Sequence, residues 1–235
     1  MSNTSKVQEM LNLRNTPIAI AFLNSPPEGL AAWSDGQVPA GCSFWQKAME
    51  GQSFYTVPSD HYNCAVGSFT HKISLPPERG SELEQTVGFM VESGYLSMSE
   101  VPGIPTLAES PAVIAYGPAD SCGFKPDVIV VAAKPAQAML IYEAALKAGA
   151  GNALMNVLGR PGCAILPLTT RTGAASLSFG CKGNRTFTGL PDEELYITVA
   201  GDKWPAVVEK LAEAFDANQK MERHYINQKA QFAEV

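Results

Sequence analysis

Cys42, Cys64, Cys122, Cys163 and Cys181 are the residues of this chain best suited to chemistry. Thiolates hold soft metals and iron–sulfur clusters, and they attack electrophiles. None of the five forms a C-x-x-C pair, so neither a zinc ribbon nor a thioredoxin-like redox site is signalled. Any site built from them must be assembled by the fold. Glycine accompanies each one: Gly41-Cys42, Cys64-x-x-Gly67, Cys122-Gly123, Gly162-Cys163 and Gly180-Cys181-x-Gly183. Glycine permits tight turns and close backbone approach, and sulfur ligands need backbone N–H groups nearby. A cysteine that only fills a core has no such need. The chain holds 20 glycines, so some adjacency is expected by chance, and both readings stand. Cys122, in a turn just ahead of a strand at Asp127, is the odd one out. The candidate metal ligands are therefore Cys42, Cys64, Cys163 and Cys181.

Two further patches compete. In Asp60-His61-Tyr62-Asn63-Cys64 the spacing lets His61 and Cys64 meet across a turn, as nucleophile and base or as two ligands of one metal. A solvated loop explains the same residues. In Gly180-Cys181-Lys182-Gly183-Asn184-Arg185, successive N–H groups of a glycine-rich turn can cradle an anion, with Gly180, Gly183 and Arg185 as the cofactor-binding candidates. A plain turn ending a strand explains that segment equally. Neither the P-loop nor the dinucleotide fingerprint occurs, H-E-x-x-H and G-x-S-x-G are absent, and His71 and His224 stand alone.

The elements that must position these residues read as an α/β protein. Residues 6–13 suit a short amphipathic helix, ended by Pro17, and Ile18–Leu23 a buried strand. Cys42–Met49 suits a short helix, Ser53–Val57 a strand and Glu82–Ser93 a weak helix. Ala112–Tyr116 and Asp127–Ala133 are β-branched runs of the kind buried on both faces. Lys134–Gly149 opens with Pro135 and stops at Gly149, as helices do. A strand at Ala153–Val157 would complete a parallel βαβ unit. Ala175–Phe179 and Glu194–Val199 are further strands, and a strong helix runs from about Lys203 to Ala217, followed by a polar segment that is either a docking helix or a frayed tail. The expected fold is a mixed sheet containing that βαβ unit, with helices packed on it. One domain over 1–235 is expected, with sub-lobes 1–105 and 106–235 as the alternative.

Composition narrows the function classes. With 235 residues, 46% hydrophobic and 17% charged, the chain can build a large core. A net charge of −6 and the lack of basic runs argue against nucleic acid. No signal peptide and no membrane span is read, which leaves a cytoplasmic protein whose thiols stay reduced.

The same residues carry a family resemblance. Pro17-Ile18-Ala19-Ile20, Cys42, Ser53-Phe54-Tyr55, Asp60 to Gly67, Pro126-Asp127-Val128, Pro135 to Met139, Gly180 to Arg185 and Gly189 to Leu195 are similar to the family called domain of unknown function 169. The resemblance spans about Pro17 to Ala217. It implies that Cys42, Cys64, Cys163 and Cys181 match the family's recurring cysteines and that Cys122 does not. It implies no reaction. The family's usual proline after the second cysteine is Ala65 here, which loosens that loop and leaves the sulfur available.

Three functions follow as expectations. The first is a protein whose four cysteines hold an iron–sulfur cluster or another thiophilic metal, with its reaction open. The second is a metal-free protein that binds a small anion or uses thiol chemistry, through Cys64 with His61 and the Gly180–Arg185 loop. The third is a scaffold subunit. A small molecule, a redox partner or a second copy of the chain are the partners left open.

Overall fold

The computed structural model describes residues 3–152 and 155–232. In chain order the elements are α1 (Asn3–Leu11), β1 (Ile18–Leu23), α2 (Ser43–Met49), β2 (Phe54–Thr56), α3 (Ala65–Thr70), α4 (Glu82–Glu92), β3 (Val113–Pro118), β4 (Val128–Ala133), α5 (Pro135–Lys147), β5 (Asn156–Leu158), α6 (Ile165–Thr172), β6 (Ser176–Ser178), α7 (Lys182–Thr188), β7 (Leu195–Ala200) and α8 (Trp204–Phe232). Among the described residues no helix is long and apolar enough to cross a membrane.

Among the described residues seven strands form one mixed sheet, in the order β2-β3-β1-β4-β7-β6-β5. Neighbours run antiparallel except β5 and β6, which are parallel. The alternation of a strand sorts its side chains to opposite faces. In β4, Ile129, Val131 and Ala133 enter one core with α1, α5 and α8, while Val128, Val130 and Ala132 enter a second core with α2 and α6. The β-branched runs are thus covered on both sides, as their composition predicts. That coverage comes from helices on each face and does not require parallel neighbours.

The expected βαβ unit takes a wider form. Tracing the pairings from β4 through β7 and β6 makes β5 parallel to β4, but with those two strands inserted between them. The adjacent parallel pair is β5 and β6, joined through α6. The strand expected at 153–157 is described as Asn156–Leu158, and Ala153 and Leu154 lie outside the described residues.

Two further stretches are helical. The Gly180–Arg185 segment is no open turn: Gly180 adopts φ +72, the left-handed region that glycine tolerates, and α7 starts directly after Cys181. The last helix continues through the polar segment to Phe232, because residues 218–232 are rich in Gln, Lys, Glu, Met and Arg, which favour helix without needing burial.

Candidate functional site

The four candidate cysteines each stand where a helix begins. Cys181 is the N-cap of α7, and its Sγ accepts the Asn184 N–H at 3.4 Å. Cys64 caps α3 in the same way, accepting the Gly67 N–H at 3.3 Å. Cys42 is the N-cap of α2 without a side-chain cap bond. Cys163 lies in a single 3-10 turn, Gly162–Ala164, that runs into α6, and its sulfur shares a hydrogen bond with the Thr70 hydroxyl at 3.4 Å. Helix starts present unpaired N–H groups and a partial positive charge, both favourable to a thiolate.

All four line one cavity of about 500 Å³. Their thiols also act on one another. Burial, followed by Cys64 and Cys181, pushes the Cys42 thiol up to about 12. Burial raises Cys64, with the Gly67 and Gly41 N–H groups pulling the other way. Cys163 lies well above the usual thiol range, first through burial and then through Cys64. Cys122 takes no part. It is buried in the opposite core, and its Sγ donates to the Phe124 carbonyl at 3.1 Å. The whole sheet separates it from the other cysteines.

Two of the neighbouring glycines explain themselves by contact. A Cβ on Gly162 would stand 3.1 Å from the Cys181 nitrogen and 3.3 Å from the Gly180 Cα, forcing the two cysteine segments apart. A Cβ on Gly67 would stand 3.0 Å from Cys64 Sγ. The glycine at Cys122 has no such role, since nothing lies within 4 Å of the corresponding position on Gly123.

His61 and Cys64 meet only through backbone, the Cys64 N–H donating to the His61 carbonyl at 3.1 Å. The His61 ring is buried against Phe44, with Nε2 and the Thr56 hydroxyl 2.7 Å apart. Burial, then His71, lowers its pKa to about 3. Arg185 is equally committed elsewhere. Its guanidinium donates to the Pro191 carbonyl at 2.7 Å and the Glu194 carbonyl at 2.8 Å, tying the end of α7 to β7. Gly183 lines the cavity, whereas Gly180 and Arg185 do not, so the candidate anion nest is split between the cavity wall and a structural tie. Among the described residues no three His, Cys, Asp or Glu side chains are grouped to hold a single metal ion.

Sequence reasoning overlooked two side chains here. His71 is buried at 2% exposure, lines the cavity and has no hydrogen-bond partner on either ring nitrogen. Burial lowers its pKa to about 4. Asn184 is also buried with an unpartnered side-chain amide on the cavity wall. Asn184 lies inside the Gly180–Arg185 motif and was findable there. Nothing in the sequence around His71 marks it.

The chain is 25% identical over 220 residues to Uncharacterized protein MJ0308 of Methanocaldococcus jannaschii, covering 89% of this chain and 92% of that protein. No solved structure matches. The model of the family of domain of unknown function 169, described as an uncharacterised ArCR, matches residues 6–210. That span contains every cysteine, the entire sheet and the cavity wall, and the chain belongs to this family.

Proposed function

We propose that Cys42, Cys64, Cys163 and Cys181 hold an iron–sulfur cluster in the cavity whose wall they share. The observation that carries this reading is the arrival of four cysteines, from four separate stretches of chain, on the wall of one cavity, while the fifth goes to the far side of the sheet. The donor set fits the group. It consists of thiols with no carboxylate, which suits iron–sulfur or another thiophilic metal and not magnesium or calcium. Backbone N–H groups already reach two of the sulfurs, as cluster sulfurs require. Gly67 leaves the space beside Cys64 that a side chain would fill. A single tetrahedral ion would need its sulfurs drawn to about 2.3 Å from one centre; a cluster spreads its ligands around a larger body.

Bound there, the cluster would supply one-electron transfer. The chain's own contribution is to position and shield it. Burial keeps the Cys42, Cys64 and Cys163 thiols protonated, so loading must displace protons. The metal-free thiol reading needs an activated Cys64. An activated thiolate has a lowered pKa and a base in contact, whereas Cys64 is raised and His61 bonds Thr56.

The test is anaerobic purification followed by iron and acid-labile sulfide analysis and a visible spectrum. The expected result is brown protein with stoichiometric iron and sulfide, lost in Cys64→Ala. Colourless, metal-free protein after anaerobic reconstitution, with one cysteine alkylating far faster than the rest, would transfer the site to thiol chemistry.

A further inference from the structure

The cysteines share the cavity wall with many apolar side chains, Leu83, Val87 and Met90 of α4 with Leu96, Val101 and Ile104 among them. At about 500 Å³ the space falls within the ~300–1,000 Å³ typical of small-molecule pockets. α4 is unusual among the longer helices. α5, α6 and α8 each set several fully buried side chains into a core, but α4 has none. Leu83, Val87 and Met90 stand half-buried along the cavity, and Phe89 beside them is 71% exposed. An apolar surface of this kind gains free energy when something covers it.

The polar groups around the chamber give the charge preference. His71, 2% exposed and unpartnered at both nitrogens, faces it. The charged residues lining it are Arg160 and Lys182. Arg160 is held in place by Glu100 at 3.0 Å and lies over the Tyr95 ring. Among the described residues that line the cavity, none carries a carboxylate. We propose that this chamber binds a small, mostly apolar organic molecule whose head group accepts hydrogen bonds, a carbonyl or a carboxylate, and that it discriminates against amines. The site goes beyond the cluster reading and stands without it, although the two would be neighbours. A molecule held here would lie beside the cysteines, where an electron carrier would have use for it.

The experiment uses three probes with one alkyl chain: octanoate, methyl octanoate and octylamine. Binding to the full chain is read by isothermal titration calorimetry and by the shift in melting temperature. Octanoate and methyl octanoate are expected to bind at least about tenfold more tightly than octylamine. Val87→Trp, which fills the chamber from the α4 side, and Ile104→Trp, which fills it from another wall, should each weaken octanoate binding about tenfold or more while leaving iron per chain unchanged. If one of them fails to fold, the other decides. Cys64→Ala should keep octanoate binding even where it loses iron, so failure of the cluster reading and failure of the chamber give different results. Equal binding of octylamine, octanoate binding unaffected in the folded Trp variants, or no binding of any probe at millimolar concentration would each overturn the proposal.

Discussion

The two faces of the sheet are built from different materials. The face under α1, α5 and α8 is packed with small and aliphatic side chains, Ile141, Ala144, Ala145, Leu211 and Ala214 among them, and holds Cys122 as one more small residue. The opposite face, under α2 and α6, carries an aromatic group of Phe44, Trp45, Phe54 and Tyr116. Beside it lie most of the buried polar atoms without partners, on Ser43, His61, His71, Tyr116 and Asn184, with Trp204 Nε1 on the first face. Buried polar atoms that lack partners are costly, and folds that keep them commonly do so for a purpose. One face thus supplies stability, and the other gives up some of it to hold cysteines and an open cavity.

The largest expected effect breaks the first face. Ile141 is fully buried between α5 and the sheet. Ile141→Ala should cost ~2–5 kcal/mol in urea unfolding, through lost transfer energy and a residual cavity. The folded fraction should bind as much iron as the parent. Iron loss out of proportion to unfolding would mean the faces are not separable.

An acid titration weakens the second face selectively. His61 and His71 have folded pKa values of about 3 and about 4, below the ordinary 6.5, because burial disfavours their charged forms. Between about pH 6.5 and 4 the unfolded chain binds more protons than the folded one, so stability is fully present above 6.5 and is lost as pH falls. The His71 shift alone corresponds to on the order of 3 kcal/mol. Urea midpoints should fall steadily from pH 7 to pH 4, and His71→Phe should flatten that slope. A flat midpoint in the parent over this range contradicts the burial argument.

Gly67→Ala sharpens the comparison with the smallest change. Alanine in a helix is favoured over glycine by up to ~1 kcal/mol, but here its Cβ would press on Cys64 Sγ at 3.0 Å. Stability of the metal-free protein should change by less than ~1 kcal/mol, while iron retention falls clearly. Gly123→Ala, beside Cys122, is a poor control because Gly123 has φ +71. Gly88→Ala in α4, with nothing within 4 Å of its Cβ position, is the proper one.

Much of the first face was legible in the sequence. β-branched runs such as Asp127–Ala133 and the periodic stripe from Trp204 to Phe215 announce their elements because burial repeats with the period of the backbone. The candidate cysteines could be picked out by their glycine neighbours and by family resemblance. Their neighbourhood could not. α3, α6 and α7 are six to eight residues long, too short for a helical period to stand out in sequence, and they are the helices that begin at or just after Cys64, Cys163 and Cys181. The order of the sheet was equally hidden, since nothing local in β4 reveals that β7 and β6 will pair between it and β5. Arg185 looked like an anion ligand because sequence gives its charge but not the three carbonyls that engage it.

The most direct test of the division between the faces is iron per chain in Cys163→Ser set beside Cys122→Ser, both purified without oxygen. Loss of iron and visible colour in the first, with full retention in the second, is the predicted result. Equal iron in both variants, whether kept or lost, would contradict it.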